Sequence, residues 1–228
     1  MSTVVIVFAK APRPGEVKTR LVPLLGAEGA AALHAKLVKH TLDTIRAASL
    51  KPVELHCAPG TDDPFFAYCQ GHYGVTLRPQ VAGDLGARMH SAFESALATH
   101  ARALIVGTDC PALTARHLRQ AEKALRDGAD AVFVPCEDGG YALIGLARVD
   151  ARLFSGIAWS TGSVMADTRL RLKQLGWTSR ELETLWDVDR PEDYARLVDS
   201  RLLERPEPPN AMDAMDTTEE QIVNRIAQ

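Results

Sequence analysis

Short apolar runs rich in β-branched residues alternate with stretches of helical period along most of the chain, and that alternation restricts the fold more than any other feature. Val4-Val5-Ile6-Val7-Phe8 is apolar at every position and is closed off by Pro12, Pro14 and Gly15. This is how a strand covered on both faces of a parallel sheet reads. Over 27–48, Ala30, Leu33, Leu37, Leu42 and Ile45 recur at helical intervals, which predicts an amphipathic helix. Strands are predicted at 53–57, 75–77, 103–106, 131–134 and 141–146. Helices are predicted at 62–71, along the stripe Met89, Phe93, Ala96, Leu97, around Leu118, Ala121, Leu125, and from Val164 to Leu175. Asp189, Arg190 and Pro191 open a last helix with Glu192 and Asp193 in its first turn, where the helix dipole favours acids. Strands separated by helices predict an α/β, three-layer fold with a mainly parallel sheet covered on both faces.

Within 228 residues, such a sheet can bury a sizeable core without disulfides or structural metals. One domain is expected over 1–203. The remainder, 204–228, opens with a Pro-rich stretch, and 204–220 holds six acids against Arg205 alone. It reads as an acidic linker followed by a short terminal helix that can dock on the body or on a second copy. With 26 Lys+Arg against 29 Asp+Glu, the net charge of −3 argues against a nucleic-acid binder that works by bulk electrostatics. Cys57, Cys69, Cys110 and Cys136 form no C-x-x-C pair, which fits reduced thiols and a cytoplasmic setting. The apolar run at 4–9 is far short of the roughly 20 residues of a membrane span. His34, His40, His90 and His117 form no metal-binding spacing and read as helix residues on partly exposed faces.

Ligands of open α/β sheets bind beyond the carboxyl ends of the strands, and three loops there carry chemistry. The first, 10–20, holds Lys10, Arg13, Lys18 and Arg20 against Glu16, a net +3 in eleven residues. Lys offers a point charge and Arg a bidentate fork, both suited to phosphate oxygens; a solvated basic loop is the alternative. Neither a Walker A loop nor G-x-G-x-x-G is present. The second loop, Gly107-Thr108-Asp109-Cys110-Pro111, sets a carboxylate at a strand end, where it can hold Mg²⁺ or Mn²⁺ beside phosphates or simply cap the next helix. Asp187 and Asp189 are candidates for a second ligand. The third, Glu137-Asp138-Gly139-Gly140-Tyr141, reads either as a tight hairpin or as a pocket wall where bare backbone lets a substrate approach.

The blocks V-F-A-K-A-P-R-P-G-E-V-K-T-R-L, Q-V-A-G-D-L-G-A-R-M, G-T-D-C-P, D-G-G-Y-A-L-I-G-L, W-S-T and D-V-D-R-P-E-D, in this order, resemble the bacterial selenodomain-associated transferase 1 family, glycosyltransferases of GT-A type. The likeness spans residues 3–200. More distantly, the layout is similar to molybdenum-cofactor guanylyltransferase and 2-phospholactate guanylyltransferase, which share the nucleotide-diphospho-sugar transferase fold. The resemblance implies that Lys10, Arg13, Lys18 and Arg20 face nucleotide phosphates, while Gln80, Gly83, Leu85, Gly86 and Arg88 lie where relatives hold base and ribose. It implies Asp109 as the metal-binding aspartate, with Asp189, ahead of Asp187, as the second metal carboxylate. Asp138, Gly139, Gly140, Tyr141, Trp159, Ser160 and Thr161 would lie on the acceptor side.

The catalytic candidates are Asp109, Asp138 and Lys18, with Asp138 as proton acceptor for the acceptor hydroxyl. The implied reaction is metal-dependent glycosyl transfer from a nucleotide sugar to a small molecule. GT-A enzymes often carry D-x-D at the fourth strand, whereas this chain has Thr108-Asp109-Cys110, as the nucleotidyltransferases do. An NTP-consuming nucleotidyltransferase that releases pyrophosphate is therefore the second expectation, and a noncatalytic nucleotide-binding protein the third.

Overall fold

A computed structural model describes residues 2–203. The apolar runs form a seven-stranded sheet: β1 (Thr3–Lys10), β2 (Val53–Ala58), β3 (Thr76–Pro79), β4 (Arg102–Val106), β5 (Ala131–Pro135), β6 (Tyr141–Leu146) and β7 (Ser179–Glu181). Their spatial order is β3-β2-β1-β4-β6-β5-β7. All neighbours are parallel except β6, which runs antiparallel to both β4 and β5. Because β6 returns directly from β5, the hairpin joining them projects from the edge where β1, β4 and β5 end.

β1 shows why every residue of its run is apolar. Val5 and Val7 pack on one face against Val38, Leu42 and Ile45 of α1 (Val22–Ala48), Phe66 of α2 (Pro64–Tyr73) and Leu118 and Leu125 of α4 (Ala115–Arg126). Val4 and Ile6 pack on the other face against Met89 and Phe93 of α3 (Leu85–Leu97) and Met165 and Leu172 of α5 (Val164–Leu175). Successive residues of a strand point to opposite faces, so a polar residue at any of these four positions would be buried. A smaller cluster, Leu21, Leu33, Leu37, Trp186, Val188 and Leu197, clamps α6 (Pro191–Ser200) and the segment before it to α1.

α1 is the longest helix and breaks from helical geometry at Gly26. The stretch Thr19–Ala48 is long and apolar enough to cross a membrane by length and composition; its Leu37, Val38, Leu42 and Ile45 face the protein core instead. α2 starts on the Asp63 carboxylate, which accepts from Phe65 N at 3.1 Å. α3 starts on that of Asp84, which accepts from Ala87 N at 2.8 Å. The expected terminal helix and linker at 204–228 lie outside the described residues.

Two expectations change. His34 and His117 are buried, at 5% and 6% exposed, rather than lying on partly exposed faces. His117 Nδ1 accepts from Thr114 N at 3.1 Å to cap α4, and His34 Nε2 meets the Lys10 carbonyl at 3.1 Å; each ring is buried because it serves a backbone group. β7, absent from the expected strands, has three exposed residues at the sheet edge, so no hydrophobic period marks it.

Candidate functional site

Four chain segments meet at the carboxyl edge of the sheet, and backbone hydrogen bonds set the spacing of three of them. Residues 185–188 first run alongside the end of β5, with Leu185 N donating to Pro135 O and Glu137 N to Leu185 O, both at 2.9 Å. They then cross to the end of β4, where Val188 N donates to Asp109 O at 2.8 Å. Trp186 and Val188 turn into the cluster on α1, and Leu185 into the main core. That packing leaves Asp187 beside Asp109 and the β5–β6 hairpin. The loop after β1 closes the group: Lys18, in a left-handed conformation (φ 48°), donates from Nζ to Val188 O at 2.6 Å and forms an ion pair with Asp109.

The charges are unevenly satisfied. The Lys18 side chain is 5% exposed, whereas that of Asp109 keeps 52% of its surface open, as on the floor of a cleft. Crowding by protein atoms opposes ionisation of Asp109, but Lys18, with help from His34 and Lys10, holds its carboxyl below the usual range. Asp187 behaves in the opposite way. Its burial, reinforced by the Asp138 charge and more weakly by Asp109, pushes its carboxyl up to about 6. Carboxylates arranged this way repel one another unless a cation lies among them.

Asp138 is held by its own turn. Its Oδ1 accepts from Gly140 N at 2.8 Å, and Gly139 (φ +87°) packs so closely on the 160–162 loop that a Cβ there would lie 2.1 Å from Gly162 O. The tight-turn reading of Asp138-Gly139-Gly140 is thus correct, and the same turn forms a wall of a cleft of ≈ 260 Å³ lined by Arg20, Asp138, Ser160, Thr161, Trp186 and Asp187. Ligand atoms of Cys136, Asp138 and Asp187 lie within 4.8 Å of one another. Oxygen donors grouped at this range, with Asp109 adjoining, suit a divalent cation.

The expected anion loop does not act as one cluster. Lys18 is central and Arg20 lines the cleft, whereas Arg13 is drawn to Asp63 of α2 at 3.2 Å and Lys10 is exposed at the end of β1. Of the two candidates for a second carboxylate, Asp189 is paired with Arg20 and its backbone N donates to Asp193 Oδ2 at 3.1 Å, whereas Asp187 lies beside Asp109 and Asp138. Tyr141, expected on the acceptor side, meets Phe133 edge-on with ring centroids 5.4 Å apart and packs, partly buried, against the core.

The block after β3 lies close by. Gln80 Nε2 donates to His56 O at 2.8 Å and more weakly to Ala9 O at 3.3 Å. Arg88 Nε donates to Gly83 O at 3.0 Å, and Leu85 is 41% exposed. Gly86 lies flush under Trp159: a Cβ there would be 2.6 Å from the indole Nε1. The expected nucleotide block and acceptor block therefore touch. Sequence reasoning missed Cys136, which lies outside any metal-ligand spacing.

No curated protein matches the chain. Among solved structures, a Desulfovibrio desulfuricans G20 protein assigned as a nucleotide-diphospho-sugar transferase is 25% identical with a TM-score of 0.80, over 99% of this chain and 98% of that one. CMP:2-keto-3-deoxy-manno-octonic acid synthetase in complex with CTP is 11% identical with a TM-score of 0.58, over 90% and 100%. Rv0371c of Mycobacterium tuberculosis H37Rv in complex with manganese is 19% identical with a TM-score of 0.53, over 88% and 100%. The sheet and its flanking helices are thus those of the nucleotidyl and nucleotide-sugar transferases. Residues 41–161 match the family DUF2064, described as uncharacterized and conserved in bacteria, and with more than half of its length inside that match the chain belongs to DUF2064.

Proposed function

We propose that the protein is a divalent-metal-dependent transferase that takes a nucleotide-diphospho-sugar as donor and passes the glycosyl group to a small-molecule acceptor. The observation that carries this reading is the convergence of Lys18, Asp109 and Asp187 at the carboxyl edge of the sheet, beside the cleft walled by Asp138. A Mg²⁺ or Mn²⁺ ion held by Asp109 and Asp187 would neutralise charge on the departing nucleoside diphosphate. The donor set fits such an ion, because each carboxylate offers hard oxygen ligands and their mutual repulsion falls when a cation binds.

The chain's own groups have separable tasks. Lys18 is fixed by Val188 O and Asp109, so its charge is held beside the metal-facing carboxylate and would help neutralise phosphates brought there with the ion. Arg20, paired with Asp189 at the cleft, supplies a second cation towards the same phosphates. Asp138 has Oδ1 committed to Gly140 N, leaving Oδ2 to accept the proton of an acceptor hydroxyl. Gln80, Gly83, Leu85, Gly86 and Arg88 would hold base and ribose; Ser160 and Thr161, on the cleft wall, would face the acceptor.

A second reading, nucleotidyl transfer from an NTP, is favoured by Thr108-Asp109-Cys110 at the end of β4 and by likeness to a CTP-binding synthetase. In-line placement of the α-phosphate would then suffice, with less need of Asp138. The experiment is a thermal-shift series with nucleoside diphosphates, sugar nucleotides and NTPs, each with and without Mn²⁺, followed by product analysis with the best binder. Nucleoside diphosphate released from a sugar nucleotide supports the proposal, and pyrophosphate released from an NTP selects the second reading. No Mn²⁺-dependent shift with any nucleotide overturns both.

A further inference from the structure

Among the described residues, Cys136 is the soft ligand grouped with the carboxylates of this oxygen-rich centre. It ends β5, is 8% exposed, and its Sγ lies within 4.8 Å of both an Asp138 and an Asp187 carboxylate oxygen. Its place is fixed on both sides: Cys136 N donates to Gly140 O at 3.0 Å, Gly139 N to Cys136 O at 3.0 Å, and Cys136 pairs with Leu185, two residues before Asp187. Cys110, next to Asp109, is near enough to Cys136 to oppose its ionisation and is itself buried. The remaining thiols are remote from this edge chemistry, since Cys57 and Cys69 pack in the core between β2 and α2 and burial pushes both up to about 12.

We propose that Cys136 is a metal ligand, joining Asp187 and one oxygen of Asp138 in a mixed sulfur–oxygen site that takes a thiophilic divalent cation of the zinc or cobalt kind in preference to magnesium, the other Asp138 oxygen staying free for the acceptor hydroxyl. This deepens the transferase reading and rests on its assignment of Asp187 as a metal-facing carboxylate. On bonds of about 2.0–2.3 Å, the ligand atoms of a tetrahedral set lie roughly 3.3–3.8 Å from one another. The three atoms here, each within 4.8 Å of the others, would draw together onto an ion by side-chain movement. Thiolate ligands favour Zn²⁺ and Co²⁺, whereas carboxylates alone suit Mg²⁺ and Mn²⁺. An unliganded cysteine ordinarily carries its proton at neutral pH. Binding then forms one metal–sulfur bond and releases one proton to solvent, with no change of oxidation state.

Cobalt reports this directly, since a Co²⁺–thiolate bond gives a near-ultraviolet charge-transfer band that an all-oxygen site lacks. The full-length protein is titrated with Co²⁺ in weak buffer, following absorbance and proton release, alongside C136S, C110S and D187N, whose folding without metal is checked by circular dichroism. The expected result is a charge-transfer band in the parent and in C110S, its loss in C136S and D187N, and about tenfold weaker Zn²⁺ binding by C136S with little change for Mg²⁺. Co²⁺ binding by the parent without the band overturns the proposal, whether or not C136S folds, and so does a band that survives in C136S. Mn²⁺-dependent nucleotide binding is measured separately on the parent, so failure of the sulfur ligand and failure of the transferase reading give different results.

Discussion

Replacing Asp187 with Asn should stabilise the metal-free protein at neutral pH, which is the reverse of what most substitutions at a half-buried polar site do. The reasoning starts from its carboxyl, lifted from the ordinary 3.8 to about 6 by burial and by the Asp138 and Asp109 charges. Between those values the folded chain holds a proton that the unfolded chain has already lost. Stability is therefore fully present below the unfolded value and is lost as pH rises through about 6. Two pK units at about 1.4 kcal/mol each set an upper bound of ~3 kcal/mol. Contact of this side chain with the open cleft screens its neighbours' charges and reduces the figure to ~1–2 kcal/mol. In EDTA, D187N should melt about 2–8 °C above the parent at pH 7.5, with the difference shrinking towards pH 4. Saturating Mn²⁺ should reverse the order by stabilising only the parent. Urea denaturation at both pH values measures the gain. A D187N protein less stable than the parent at pH 7.5 without metal would refute the claim that this carboxylate is held against repulsion.

Asp109 carries the opposite sign. Lys18 holds its carboxyl low, so its stabilising contribution is present above the ordinary carboxylate range and fades as pH falls. D109N should cost ~1–3 kcal/mol at pH 7.5, less than a fully buried pair because the carboxylate side is open, and should abolish any Mn²⁺-dependent nucleotide shift; parent-like denaturation would contradict it. G139A places a Cβ in a left-handed turn and 2.1 Å from Gly162 O. It should cost ~2–4 kcal/mol in a denaturant titration, combining backbone strain with displacement of the 160–162 loop. G86A should push the Trp159 indole off its seat and red-shift the tryptophan emission, a change that must vanish in the W159F background.

Sequence alone made the layered sheet readable because β1 and β4 are buried on both faces and α1 is amphipathic, so burial wrote itself into hydrophobic period. The same logic left β7 invisible, since an exposed three-residue edge strand is held by hydrogen bonds and carries no apolar signature. At the candidate site, Lys18 and Asp109, which pair in the structure, were singled out by charge in the loops that follow β1 and β4. Asp189 was ranked ahead of Asp187, although both flank Val188 and only the crossing of 185–188 from β5 to β4 separates their surroundings. Cys136 was missed for a related reason: its partners lie 2 and 51 positions away and meet it only through the hairpin and that crossing. His34 was misplaced because its burial is required by the Lys10 carbonyl, a backbone group with no sequence mark.

The reversed strand explains why the site sits where it does. Had β5 been followed by a crossover helix, the residues after its end would have been carried across a face of the sheet, and Asp138 would lie apart from Asp109. The immediate return of β6 between β4 and β5 holds the turn at the carboxyl edge, one strand removed from the end of β4, and Leu185 to Val188 bridges that gap. The outcome is an edge with two unlike halves. On the β3-β2-β1 side are Gln80, Arg88 and a chain approach through Gly86; on the β6-β5-β7 side are Asp138, Ser160 and Thr161; Trp159 over Gly86 joins them. Under the proposed function the first half would take the donor and the second the acceptor, and the choice between glycosyl and nucleotidyl transfer would rest on the Asp138 side of the cleft, because Lys18, Asp109 and Asp187 would serve the phosphates of either donor in the same way.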